Sequence, residues 1–145
     1  MKTFIVIVLL LLMVVVGGLF YLGKKSTGGT AAGLHSGQLS ACPSSPNCVS
    51  SEANTLQDQQ VDPLPLSAWQ QIPTVAEELG GTVTRSESNY IAAEFASSRF
   101  KFTDDVEFRR ADDAVHVRSA SRVGYSDMGV NAERIATLRK RLQDR

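Results

Sequence analysis

Apolar residues are arranged in two different ways along this chain. Phe4 to Leu22 is an uncharged run of Ile, Val, Leu, Phe, Met, Gly and Tyr, whereas beyond Leu39 apolar and polar residues alternate with the periods of helix and strand. The first run is long enough, at about 1.5 Å per helical residue, to span the roughly 30 Å hydrocarbon layer of a bilayer. A secretory signal has a shorter apolar core with a small-residue cleavage site close behind it. Here the run leads into Tyr21-Leu22-Gly23-Lys24-Lys25, and the cleavable-looking Thr30-Ala31-Ala32 lies well beyond. Residues 1–25 are therefore read as an N-terminal membrane anchor or uncleaved signal. Lys2 on one side and Lys24 and Lys25 on the other nearly balance, so flanking charge does not orient the helix.

Ser26 to Gln38 is rich in Gly and otherwise small or polar. That composition predicts a flexible tether over 26–38, followed by a folded domain over 39–145. Asp62-Pro63-Leu64-Pro65-Leu66 reads as an extended lead-in. Ser67 and Gln70 then match a capping box for a helix carrying Trp69, Ile72, Ala76 and Leu79 inward, with a break near Ile72 caused by Pro73 and a stop at Gly80-Gly81. Strand patterns follow over Thr82–Glu87 and Tyr90–Ala96. Phe100 and Phe102 share a face, Thr103-Asp104-Asp105 reads as a turn or bulge, and Val106 to Arg109 and Val115 to Arg118 alternate on either side of an Ala111-Asp112-Asp113 turn. A final helix is predicted from Asn131 as N-cap, with Ile135, Leu138 and Leu142 inward. The expected fold class is α+β: an antiparallel sheet of about four strands with one apolar face, helices on that face, and a transmembrane helix in front.

Fifteen basic and fifteen acidic residues leave no basic excess, which argues against nucleic acid as a partner. The two cysteines, Cys42 and Cys48, frame a turn-rich Pro-Ser-Ser-Pro-Asn segment. A structural disulfide is the favoured reading, ahead of buried thiols or redox chemistry, and it places the domain on the exported, periplasmic or extracytoplasmic side. Leu39-Ser40-Ala41-Cys42 also reads like a lipobox, but the polar segment from Lys24 to Gln38 separates it from the apolar core. No further soft ligands accompany the cysteines, so neither a metal nor another cofactor is expected.

Three ordered motifs carry a family resemblance. Cys42-Pro43-Ser44-Ser45-Pro46-Asn47-Cys48-Val49-Ser50-Ser51, Phe102-Thr103-Asp104-Asp105-Val106-Glu107-Phe108 and Val117-Arg118-Ser119-Ala120-Ser121-Arg122-Val123-Gly124-Tyr125-Ser126-Asp127-Met128-Gly129-Val130-Asn131 resemble domain-of-unknown-function family 1499. Trp69 falls where that family places a Trp, and the resemblance covers Leu39 to Leu142. It implies a domain found behind a membrane or export segment in bacteria and photosynthetic eukaryotes, with no established reaction. Ala132 departs from the basic residue common at that point, which weakens any anion site at the helix start.

The residues themselves suggest one candidate site. Arg118, Ser119, Ser121, Arg122, Tyr125, Ser126, Asp127 and Asn131 cluster in a Gly-containing loop ending at a helix N-terminus, with Asp104 and Asp105 as neighbours. Guanidinium groups and free backbone N–H donors suit a carboxylate, a phosphate or a lipid headgroup. The competing reading is a loop locked by its own hydrogen bonds, with Asp127 paired to an arginine and Asn131 capping the helix. Glu107 and Arg109 are positioned to pair with Arg118 across strands. A Ser121–His116–Asp arrangement can be drawn, but no nucleophile elbow is present. The expectation is thus a membrane-anchored binding or accessory module for a small anionic or lipid-like ligand or an envelope partner. A small hydrolase using the same loop, or a purely structural envelope protein, are the alternatives.

Overall fold

The computed structural model describes residues 1–145. Helix α1, Lys2–Ser26, has a mean hydropathy of 3.1 over its most apolar window, and that window has no buried residue, so it is long and apolar enough to cross a membrane. The chain then forms a small hairpin, β1 (Leu34–His35) with β2 (Gln38–Leu39), turned by Ser36 and Gly37 at positive φ. Next come β3 (Cys48–Ser50), a 3-10 turn at Gln57–Gln59, β4 (Leu64–Pro65) and a 3-10 helix at Leu66–Gln71. Helix α2 (Ile72–Glu78), strands β5 (Thr82–Ser86), β6 (Tyr90–Ala96), β7 (Thr103–Arg110) and β8 (Ala114–Ser121), and helix α3 (Val130–Gln143) complete the fold.

The main sheet is antiparallel in the order β3-β8-β7-β6-β5, and β4 pairs with the start of β8 beside β3. Its six strands exceed the four expected because β3 and β4 are only three and two residues long. So short a strand shows no alternation in the sequence. The predicted turn at Thr103–Asp105 is instead the start of β7, where Asp104 and Asp105 pair in register with Phe95 and Glu94.

Pro73 acts as foreseen, in a specific way. The chain runs as 3-10 helix up to Gln71, and α2 starts at Ile72 with Pro73 in its first turn, where a missing N–H costs no hydrogen bond. The Ser67–Gln70 capping box is not formed, because no side chain caps either helix. Asn131 is not the N-cap of α3. Gly129 takes that position at φ 85°, a left-handed conformation that suits glycine.

The helix-side core joins Leu64, Trp69, Ile72 and Val75 to Ile91, Phe95, Val106, Phe108, Val115 and Val117, and to Ile135, Leu138 and Leu142 of α3. Each such fully buried side chain contributes about 1.5–3 kcal/mol of hydrophobic stabilisation. The sheet's second face is also covered. β7 is buried from Thr103 to Phe108 without alternation, although Asp105 and Glu107 point away from the helices. Residues of the 26–38 segment, where a tether was expected, cross this face. Ala31 and Leu34 pack on a small cluster of Leu39, Tyr90 and Ala92, and the Gly33 N–H donates to Glu107 at 2.7 Å.

Candidate functional site

The sheet divides the ten candidate residues. Side chains alternate along β7 and β8, so Asp105, Glu107, Arg118 and Arg122 fall on the second face, while Asp104, Ser119 and Ser121 fall on the helix face. Asp104 and Asp105 therefore cannot act as one pair of carboxylates.

Three ionic groupings lie on the second face. Nearest to α1, Arg122 grips Asp105 with two hydrogen bonds, Nε to Oδ2 at 2.8 Å and Nη2 to Oδ1 at 2.7 Å, and also pairs with Glu94. Its Nη1 donates to the carbonyl of Ser26, the last residue of α1, at 3.2 Å. The Asp105 hydrogen bond, aided by Glu94, raises the Arg122 guanidinium above its ordinary pKa despite the opposing effect of burial. In the middle, Glu107 accepts from the Tyr90 hydroxyl at 2.7 Å and from Arg118 Nη1 at 2.8 Å, in addition to Gly33. Burial first, then the Glu107 carboxylate, pushes the Tyr90 phenol well above its ordinary value. Farthest from α1, Glu52 accepts from Arg109 Nε at 2.8 Å and Nη2 at 3.0 Å, and from the Leu39 N–H at 3.0 Å. Burial alone would raise the Glu52 carboxyl, but Arg109, Leu39 and His116 together hold it below the ordinary carboxylate range.

The helix face carries a fourth group. Arg134 of α3 donates to Asp104 at 2.6 Å, to Asn131 Oδ1 at 2.6 Å and to Ser119 Oγ at 3.2 Å, with its guanidinium 4.9 Å from the Phe95 ring centre. Asn131 is fully buried, and its amide donates to the Asn47 carbonyl at 3.0 Å and Ser121 Oγ at 3.1 Å. The Asn47 amide in turn donates to the Gly124 carbonyl at 2.7 Å. The Asp127 carboxylate, two residues ahead of the Gly129 N-cap, accepts from the N–H groups of Gly129 and Asn131 and so satisfies the start of α3, and it pairs with no arginine. Ser126 Oγ accepts from the Met128 N–H at 3.2 Å, and Tyr125 is exposed.

His116 pairs in register with Arg109, whereas Ser121 pairs with Asp104 at the other end of β7. The Ser121–His116–Asp arrangement is therefore not assembled. His116 Nδ1 lies 3.1 Å from the Ser51 carbonyl and 3.8 Å from Glu52. Cys42 and Cys48 are disulfide-bonded, with their Cα atoms 5.6 Å apart. No three His, Cys, Asp or Glu side chains come together as a ligand set.

Sequence reasoning missed Arg134, Glu94, Glu52, Tyr90 and Asn47 as partners. Glu94 and Tyr90 sit at alternate positions of a predicted strand and Asn47 within the first motif, so each had a positional signal. Arg134 had a weaker one, as an arginine of the helix that follows the third motif, whereas Glu52 had none, because Arg109 is distant in the chain. The surface carries seven hollows, most of them minor. One of about 430 Å³ is lined by Trp69, Pro73, Ile91 and Arg110, and one of about 240 Å³ by Leu79, Phe95, Val130 and Arg134. Arg118 and Arg122 line neither.

The polar residues of the three motifs thus interlock: Asn47 from the first, Asp104, Asp105 and Glu107 from the second, and Arg118, Arg122 and Asn131 from the third. Neither a curated protein nor a solved structure matches the chain. The family model described as "Protein of unknown function (DUF1499)" matches residues 38–142, the span that holds all three motifs, and the chain belongs to that family.

Proposed function

We propose that this protein is an exported accessory module of a cell envelope, permanently held at the bilayer by α1, whose family motifs serve to lock the domain together and onto its own anchor. The observation that carries this reading is the environment of Arg122. One guanidinium joins Asp105 of the sheet, Glu94 of the neighbouring strand and the last carbonyl of the apolar helix. A residue built to seize a free anion would keep donors open, and Arg122 directs its donors at groups of its own chain.

The same contacts support retention of α1. Ser26 is buried, its hydroxyl accepts from the Thr103 N–H at 3.0 Å, and a β-carbon at Gly23 would overlap the Phe100 carbonyl. Cleavage behind the helix would remove a part of the folded domain. The disulfide supports an oxidising compartment.

The test is native mass spectrometry of the full-length protein released gently from detergent, alongside Arg122→Gln. The expected result is a mass that retains residues 1–26, without a bound anion, and a variant that melts at a lower temperature. A stoichiometric anion that Arg122→Gln loses while melting normally would replace this reading with the ligand-binding one. A mature N-terminus beyond Ser26 would remove the anchor.

A further inference from the structure

Beyond α1, three of the four most exposed large apolar side chains sit close together in the chain: Tyr125 is 75 % exposed, Met128 95 % and Val130 45 %. Tyr125 and Met128 belong to the β8–α3 loop and Val130 opens α3, all within the third motif, where neither the core nor the ionic groups use them. Single exposed apolar residues need no explanation, but a group of them on one loop marks a contact surface.

The topology gives that surface a direction. β8 ends and β7 begins at the same end of the sheet, since Ser121 pairs with Asp104, and β6 ends there too, since Ala96 pairs with Thr103. The β6–β7 loop, carrying Arg99, Phe100 and Lys101, and the β8–α3 loop therefore project from one end. α1 leaves the domain at this end as well. The Phe20 ring meets Phe100 edge-on at 5.2 Å, and Ser26 is bonded to Thr103 and Arg122. From there the chain climbs the second face, passing Arg122 at Gly29 and Glu107 at Gly33. The rest of α1 points away, with the apolar residues from Phe4 to Val16 exposed outside the domain.

We infer that the β6–β7 and β8–α3 loops dock on the surface of the bilayer that α1 crosses, with Tyr125, Met128 and Phe100 entering the interfacial layer. This rests on the proposal that α1 is a retained anchor. Its apolar surface is continuous with the docking surface through Phe20 and Phe100, which fixes the occupant as lipid. Tyr and Phe suit the headgroup level, where an apolar ring and a polar tip are both satisfied. Charge agrees: Lys24, Lys25, Arg99 and Lys101 flank the contact, and the acid of the loop, Asp127, is engaged at the start of α3. Basic residues at this depth favour anionic lipid.

The experiment uses the full chain in vesicles of phosphatidylcholine, with or without phosphatidylglycerol, in which the acyl chains are brominated near the headgroup. Tyr125→Trp and Met128→Trp are compared with Leu56→Trp, an exposed position that follows β3 beyond the end away from α1, and with the native protein, whose Trp69 is buried. Flotation of each sample is measured first. The expected result is flotation of all of them, with loss of the added Trp emission for positions 125 and 128 and none for 56. The loss is expected to deepen with phosphatidylglycerol. Flotation with equal emission at 125, 128 and 56 overturns the docking and leaves the anchor standing. Failure to float overturns both. Quenching that is unchanged by phosphatidylglycerol overturns the anionic preference alone.

Discussion

Glu107 and Arg118 stand directly opposite one another on β7 and β8, and their carboxylate and guanidinium meet at 2.8 Å with Glu107 fully removed from solvent. A buried ion pair is favoured where further hydrogen bonds satisfy its atoms, and this holds on the carboxylate side of the pair, whereas Arg118 Nε has no partner. Here the second Glu107 oxygen receives the Tyr90 hydroxyl and the Gly33 N–H, which come from another strand and from the segment behind α1. The pair thereby ties three distant parts of the chain together.

Replacing Glu107 by Gln keeps the shape but leaves the Arg118 charge buried without a counter-charge. Loss of one partner from such a pair costs about 3–5 kcal/mol. Urea denaturation of Glu107→Gln is expected to show a loss of that size. A change of less than 1 kcal/mol, as for ordinary exposed pairs, would contradict the buried pairing.

Tyr90 adds a sensitivity to alkali. Its phenol holds its proton to higher pH in the folded protein than in the unfolded chain, so its contribution is complete below pH about 10 and is lost as pH rises above that value. Tyr90→Phe should be less stable than the native protein by about 1 kcal/mol at neutral pH, and its stability should fall less steeply above pH 10. Parallel alkaline melting curves for the two proteins would count against this account.

Glu52 works in the opposite direction. Its carboxyl lies below the ordinary value of 4.5, so it stabilises the fold above that pH and the stabilisation is lost as pH falls through the lower, folded-state value. Glu52→Gln should be less stable by about 2 kcal/mol at pH 7, with the gap to the native protein closing in acid. A gap that stays constant from pH 7 to acid would show that shape rather than charge matters at this position.

Gly23 is where α1 packs directly on the β6–β7 loop. Gly23→Ala places a methyl group against the Phe100 carbonyl, a backbone atom with little freedom to move. The helix end must separate from the β6–β7 loop, weakening the Ser26 contacts with Thr103 and Arg122. Limited proteolysis should then cut the variant between Thr27 and Gly37 faster than the native protein, while the melting of the remaining domain changes little. Equal cutting rates would mean that the helix end is not held.

The candidate residues were readable as residues but not as a site. Arg118, Arg122, Asp104 and Asp105 stand out by type and motif, and Glu107 facing Arg118 follows from alternation and register. That Asp104 and Asp105 part company, one to Arg134 and the other to Arg122, was implicit in the same alternation once the turn assigned to them became a strand. The helix cap moved from Asn131 to Gly129, with Asp127 satisfying the start of α3, because Asn131 is drawn into the core by Ser119, Ser121 and Asn47. A local capping signature cannot anticipate such distant partners.

The sequence alone determined the apolar helix, the α+β class, the core face and the family, since all rest on local periodicity or on contiguous motifs. The disulfide was favoured there among alternatives because two nearby thiols need only a short loop to meet. Only the tertiary structure decided what covers the sheet's second face. A Gly-rich polar segment has no periodicity of its own, and nothing local distinguishes a free tether from a strand of chain laid over buried ions. Its place is set by partners such as Glu107 and Arg122, far along the chain, whose charges need the backbone donors and acceptors that the segment brings.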